Sequence, residues 1–362
     1  MLTSTYQIPV LPPPVELETV AVLKALARAN RALAELKGRA ATIPNQGILI
    51  DTLALQEAKA SSEIENIVTT QDELFQADLF PEGPRSGAAK EVALYRDAVK
   101  LGFQHLVESD GLITNRTLIE MFRLLKGRSG GFRSTPGTAL RNEATQDMVY
   151  VPPQDLREIE SQMSALEQFV NDDALCDLDP LIKMALIHHQ FESIHPFPDG
   201  NGRVGRILNV LYLTRTGLLD ILILYLSRYI TRHKADYYRH LQAVRDDGDW
   251  EGWLLYTLEG VAETSQTTLS LVEAIRRQMA EAKHRLRSEL PKIYSQDLLN
   301  NLFRHPYTRI EFVVNDLKVT RQTASKYLEA LAEHGFVEKH QSGRSNYYIN
   351  VPLVALFIEN GP

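Results

Sequence analysis

The stretch His195 to Arg206, "HPFPDGNGRVGR", constrains this chain more tightly than any other, because twelve residues fix a helix stop, a turn and a helix start. Upstream, "DPLIKMALIHHQFESI" reads as a helix. Pro196 disfavours α conformation at the residue before it, so that helix must end at Ile194 and hold His195 at a helix-to-loop junction. Pro198 adds a second restraint, and "DGNG" then offers flexible backbone immediately before the apolar-periodic "RVGRILNVL". The expected product is two helices joined by a glycine-rich turn. Its successive backbone N–H groups, helped by the positive end of the second helix dipole, suit a phosphate.

The side chains extend that chemistry. Asp199 can supply a hard oxygen ligand for Mg2+, which usually binds one or two carboxylates together with substrate phosphates. Arg203 and Arg206 are three apart, so both project from nearly one face near the start of the new helix, and two fixed cations beside an anion nest suit a polyphosphate. His195 has the type and place of a general base acting on an incoming hydroxyl. A P-loop is excluded, because no lysine follows the glycines as that motif requires. A zinc site from His188, His189 and His195 is disfavoured, since neighbouring histidines on a helix point about 100 degrees apart, and at least one of them belongs to the core.

The rest of the chain supplies a helical frame. "VELETVAVLKALARANRALAELKG" is rich in helix formers and closes at Gly38, and helical pattern runs from Val15 to about Phe75. "FPEGPRSG", Phe80 to Gly87, is a linker signal. Periodicity resumes after it and breaks from Gly127 to Pro153, where "DMVYVPP" could form a short extended edge; a break this long calls for a function. In "TLSLVEAIRRQMAEAKHRLRSEL", Leu271, Ile275, Met279, Ala282, Leu286 and Leu290 make one amphipathic helix, packed on its own domain or open to a homodimer seam. The single cysteine, Cys176, rules out an intrachain disulfide and fits a reducing cytoplasm. The net charge of -7 gives no general pull toward nucleic acid or anionic lipid. "LNVLYLTRTGLLDILILYL" is interrupted by Arg215 and Asp220, so it is core and no membrane association is expected. "MLTSTYQIPVLPPPVE" lacks a secretion-signal pattern and reads as an extended lead-in.

His195 through Arg206 resembles the Fic motif, HxFx(D/E)GNGRxxR, at every specified position. The resemblance implies a Fic-type helical domain that transfers AMP from ATP to a protein Ser, Thr or Tyr hydroxyl. It implies that His195 is the base, that Asp199 holds the Mg2+ bridging the α- and β-phosphates, that Gly200, Asn201 and Gly202 form the anion nest, and that Arg203 and Arg206 clamp the outer phosphates. Val204 and Gly205, between the arginines, are counted with the nucleotide site. In-line attack at phosphorus needs positioning and charge neutralisation, which agrees with the residue chemistry. The break from Gly127 to Pro153 falls where the family carries a flap that pairs with the target by strand addition, with Val149, Tyr150 and Val151 as its inner edge. "DYYRHL" is similar to the family's paired tyrosines, so Tyr237 and Tyr238 border the adenine or make an ordinary core step. Relatives that move another phosphate-containing group, or remove AMP, keep those alternatives open.

"SSEIEN" fits the family's inhibitory pattern (S/T)xxxE(G/N) through Ser61, Glu65 and Asn66, on a helix before the catalytic motif. Glu65 would pair with Arg206 and occupy the cation needed for the γ-phosphate. The segment from Arg304 to Asn350 reads as helix, turn, helix and hairpin, with Thr320 as N-cap and Gly335 as stop, and resembles a winged helix. Its seven Lys/Arg against five Asp/Glu make a thin footprint for DNA. Arg321, Lys326 and Arg344 are the DNA candidates, with target docking or self-association of equal weight, and a DNA-binding regulator with a secondary Fic domain is the alternative from another class. The expected architecture is mainly α: a Fic-type helical bundle with a short β-hairpin flap, then a small α/β winged-helix domain. Its divisions are a helical region over 1–87, the catalytic domain over 88–260, a connecting helix over 261–290 and the winged helix over 291–362.

Overall fold

The computed structural model describes residues 6–79, 86–127, 129–141, 146–342 and 345–359. The chain is mainly helical. The first part contains α1 (Val20–Ala40), α2 (Gly47–Ile64), α3 (Gln71–Leu79), α4 (Gly87–Glu108) and α5 (Asn115–Lys126). A two-stranded hairpin follows, β1 (Leu140–Arg141) with β2 (Met148–Tyr150), antiparallel with Leu140 opposite Tyr150. Then come α6 (Leu156–Asn171), α7 (Pro180–Ile194), α8 (Asn201–Arg215), α9 (Ser227–Arg232), α10 (Lys234–Asp247) and α11 (Trp250–Glu289). The C-terminal module consists of α12 (Gln296–Arg304), β3 (Tyr307–Thr308), α13 (Ile310–Leu317), α14 (Arg321–Glu333), β4 (Glu338–Ser342), β5 (Ser345–Ile349) and α15 (Val351–Glu359).

The helices begin where short polar side chains can satisfy their free N–H groups. Thr19 caps α1 and Asp179 caps α7, where Pro180 at the first helical position needs no N–H partner. Two helices form the centre. Every residue of α7 from Leu181 to Ile194 is buried, as is α8 from Val204 to Leu213, so neither shows a polar face; each is packed on all sides. The loop between them is pinned by Phe197, fully buried and stacked on Phe122 at 4.4 Å.

Several boundaries differ from expectation. α1 runs past Gly38 to Ala40, and the chain leaves helical geometry at 41–46 and again after Ile64. Of the linker read at Phe80–Gly87, residues 80–85 lie outside the described residues, while Ser86 caps α4 and Gly87 begins it. α11 continues unbroken through residue 260, where the catalytic domain was expected to end; Gly260 does not stop it, because that position is packed against the Tyr229 ring, which a Cβ would meet at 2.7 Å, and the apolar repeat runs on beyond it. Its Leu271, Ile275, Met279 and Leu286 are buried within the chain, and α1 packs along it, with Arg28–Glu259 at 3.0 Å and Arg39–Glu273 at 3.8 Å. The stripe is therefore covered by this chain's own helices.

In the C-terminal module, Thr320 caps α14 by accepting from the N–H of Thr323, and Gly335 sits at φ +69° after the helix. β3 and α15 go beyond the elements read from the sequence: β3 pairs with β5, giving a sheet ordered β3-β5-β4. The hairpin turn at Gly343, and Arg344, lie outside the described residues. No helix among the described residues is long and apolar enough to cross a membrane.

Candidate active site

α7 ends in a left-handed residue. His195 takes φ +49° and ψ +58° with its N–H on the Phe191 carbonyl, so the chain turns sharply and Pro196 follows without continuing the helix. Asn201 then closes the loop with two 2.8 Å bonds, its Oδ1 accepting from the N–H of Phe197 and its Nδ2 donating to the Phe197 carbonyl. Its side chain is thus a loop clamp, and only its backbone belongs to the expected nest. Gly200, at φ +77°, starts α8 in a conformation that favours glycine. A Cβ on Gly202 would lie 2.8 Å from an Arg206 nitrogen and 2.9 Å from Glu65 Oε1, so the glycine lets the cation and carboxylate approach the helix start.

These groups face one cavity of about 1040 Å3. It is lined by His195, Asp199, Gly200, Asn201, Gly202, Arg203 and Arg206, by Val149 and Tyr150 of β2, and by Tyr237 and Tyr238 of α10. Three residues counted with the site fall elsewhere. Val204 is fully buried in the α8 core, Val151 turns inward behind the hairpin, and Gly205 packs against Phe191 and Glu192, because the helical and strand periods carry these positions away from the cavity. Tyr150 straddles both roles: its ring is buried, and its hydroxyl donates to the Ser193 carbonyl at 2.8 Å. Tyr237 is buried with its hydroxyl 2.9 Å from His188 Nε2, whereas Tyr238 is half exposed. His188 is also 3.2 Å from Asn209, and His189 Nε2 meets the Leu241 carbonyl while its Nδ1 is left without a partner, so both are core histidines and only His188 has both ring nitrogens paired.

His195 is neutral. Burial, reinforced by the guanidiniums of Arg133 and Arg245, pushes its imidazole down to about 3. Arg133 also sets its position: Nε donates to the His195 carbonyl at 2.8 Å, the other side of the guanidinium reaches the Pro153 carbonyl, and the backbone N–H bonds to Pro196 at 2.8 Å. Burial would raise the Asp199 carboxyl, but Lys126 at 2.5 Å, with help from Arg203, holds it below the usual carboxylate range. Among the described residues no three metal-ligating side chains cluster, so Asp199 would serve a cation as a single side-chain ligand. A single carboxylate matches a Mg2+ that takes its other ligands from phosphate and water.

The two arginines are engaged from α2. Glu65 follows the last residue of that helix, and its Oε2 lies 2.8 Å from Arg203 Nε while its Oε1 accepts from Arg206 at 3.1 Å. Ser61, one turn earlier, accepts from Arg206 Nε on its hydroxyl and from Nη2 on its carbonyl, each at 2.8 Å. Burial would lower the Arg206 guanidinium, yet Glu65 raises it above its ordinary value. Arg203 carries a second partner, Glu91 of α4, at 2.9 Å. Asn66 turns the chain at φ +62° and accepts from Lys234 at 3.3 Å. Lys126, Arg133, Glu91, Glu192 and Arg245 all bear on the site and none was read from the sequence. They stand singly in five elements or loops, with no spacing to mark them.

The chain is similar to known proteins along most of its length. The profile described as Fic/DOC family N-terminal matches residues 23–104, the Fic/DOC family profile matches 112–213, and the profile for a protein adenylyltransferase SoFic-like C-terminal domain matches 278–353. A "Protein adenylyltransferase Fic" from Nematostella vectensis is 33% identical over 153 residues, 42% of this chain and 33% of that protein. A probable protein adenylyltransferase from Aquifex aeolicus is 30% identical over 187 residues, 50% of this chain and 54% of that one. The chain therefore spans between a third and about half the length of these curated relatives. In structure, a Fic family protein from Desulfovibrio desulfuricans superposes with a TM-score of 0.58 at 20% identity, covering 93% of this chain and 98% of the other. Fic-1 from Caenorhabditis elegans gives 0.54 at 18% identity, covering 70% and 74%. These likenesses extend the fold over nearly the whole chain.

Proposed function

The chain belongs to the Fic/DOC family, and from that premise we propose that it is a protein adenylyltransferase held inactive by its own Glu65. The observation that carries the reading is one cavity lined by a neutral His195, the N-terminus of α8 and two buried guanidiniums. ATP lies with its outer phosphates on Arg203 and Arg206, and Tyr237 and Tyr238 border the base. Asp199 would hold Mg2+, which would supply charge neutralisation on the phosphates. Lys126 is the cation that neutralises that carboxylate in its place. A target Ser, Thr or Tyr hydroxyl is presented along β2, whose Met148 and Val149 are exposed. His195 takes the hydroxyl proton as the oxygen bonds to the α-phosphorus, and pyrophosphate leaves. Arg133 keeps the base in place by holding its carbonyl.

In the resting state Glu65 occupies both guanidiniums, so the γ-phosphate has no cation to meet until that carboxylate withdraws. Separation leaves buried charges uncompensated, which makes the inhibited state tight. The C-terminal module serves as a brace for α2 in this reading: Arg304 Nε bonds Asp51 at 2.8 Å and Gln56 donates to the Phe357 carbonyl at 3.3 Å. Its basic groups offer little to DNA, since Arg321 is paired with Glu311 and Lys339 with Glu329. The protein acts in the cytoplasm, where its one thiol stays reduced.

The test is label transfer from α-labelled ATP with Mg2+ to protein. Glu65→Gly is expected to raise labelling at least tenfold over the parent, and adding His195→Ala is expected to abolish it. Equal labelling in parent and Glu65→Gly would remove the switch, and labelling that survives His195→Ala would remove the base.

A further inference from the structure

Glu192 lies on α7 one turn before His195 and lines the same cavity. It is buried, and its Oε1 has no hydrogen-bond partner. Room for the carboxyl comes from Gly205, where a Cβ would stand 2.6 Å from that oxygen. Charged groups face it from three elements: Arg206 from α8, Glu65 from the end of α2, and Arg245 from α10, with the Tyr237 phenol alongside. Burial pushes the carboxyl up to about 7, with the Glu65 charge adding to the rise and the guanidiniums of Arg206 and Arg245 opposing it. An unpaired carboxylate oxygen in such a place is costly, and a proton removes most of that cost.

The anion on Arg206 thus decides how acidic its neighbour is. With Glu65 in place, Arg206 is already countered and Glu192 is held toward the protonated form. With Glu65 gone and the cavity empty, Glu192 becomes a counter-charge within the cavity for a bare guanidinium and ionises. A triphosphate arriving on Arg206 restores the negative neighbour. We propose that Glu192 is a positioning residue acting through Arg206, which takes up one proton from solvent when a triphosphate settles on that guanidinium and so leaves the full cationic charge to the phosphate. The inference rests on the nucleotide reading above. Its sign is definite: above neutral pH the proton is harder to acquire, so apparent affinity for ATP falls by up to about tenfold per pH unit.

The experiment uses the 362-residue chain carrying Glu65→Gly, with and without Glu192→Gln, titrated with α,β-methylene ATP and Mg2+ at pH 7.5 in buffers of high and low ionisation enthalpy. Glu65→Gly is expected to show buffer-dependent heat corresponding to proton uptake, and the Glu192→Gln protein is expected to bind with that uptake lost. The KM for ATP should rise with pH only where Glu192 is present. Equal uptake in both proteins, or binding by Glu65→Gly with no uptake, would overturn the proposal. If Glu192→Gln does not fold, Glu65→Gly with His195→Ala decides: uptake that persists supports Glu192, and uptake that vanishes assigns the proton to the imidazole. Absence of binding to any of these proteins would overturn the nucleotide reading itself, and the inference with it.

Discussion

At the scale of single residues, the site depends on side chains that reach it from distant parts of the chain. The motif residues His195 to Arg206 were legible because proline, glycine and arginine each restrict backbone or charge in a known way at fixed spacing. Arg133 was not, since a lone arginine in "GGFRSTPG" looks like any loop cation, and only the fold brings it to the carbonyls of His195 and Pro153. Arg133→Ala should lower kcat for transfer about ten- to a hundredfold while changing ATP affinity little. Stability should fall by about 2 to 3 kcal/mol, because buried carbonyls lose charge-assisted bonds. Steady-state kinetics and denaturant midpoints would check the two parts. Gly202→Ala makes a complementary case. Its Cβ would intrude on Arg206 at 2.8 Å, so even in the Glu65→Gly background it should weaken ATP use at least tenfold, read as a rise in KM.

At the scale of elements, α2 joins three parts of the molecule. Its residues Glu57, Ser61 and Glu65 recur every four positions along one face, the first bonded by Tyr95 and Ser227 and the last two by Arg206. Near its start, Asp51 takes Lys100 of α4 and Arg304 of α12, each at 2.8 Å. The inhibitory pattern could be read from its spacing, and the C-terminal elements from capping and hairpin residues. The contact between them could not, because two helices separated by 230 residues or more of chain leave no periodic trace of their meeting. If the brace holds α2 in its inhibiting position, Arg304→Ala should raise basal transfer severalfold in the parent. In the Glu65→Gly background the same change should have no further effect, since the carboxylate it restrains is already absent. A double-mutant cycle on transfer rates would show this non-additivity.

At the scale of the whole molecule, buried titrating groups make stability depend on pH in two opposing ways. Burial holds His188 and His195 down to about 3, and His189 well below its ordinary value, so unfolding takes up protons as pH falls below about 6.5. Burial raises Glu57 and Glu192 to about 7, so the folded state holds protons that the unfolded chain would release between about 4.5 and 7. The histidines lose stability as pH falls, and the glutamates lose it as pH rises. Between about 4.5 and 6.5 the two offset, and below about 4.5 only the histidine contribution remains. Denaturant midpoints should therefore vary gently from pH 6.5 to 5 and drop steeply below 4.5. The long helix has a consequence for dissecting the protein. At 40 residues α11 is a rod of roughly 60 Å, and α1 lies along it beside residues 259 to 273. A fragment trimmed at residue 260, where motif arithmetic would place the scissors, would strip α1 of its partner and present its bare leucines and alanines to water. The smallest piece worth expressing alone extends past residue 279, so shears and proteases should be aimed at the joint after Glu289.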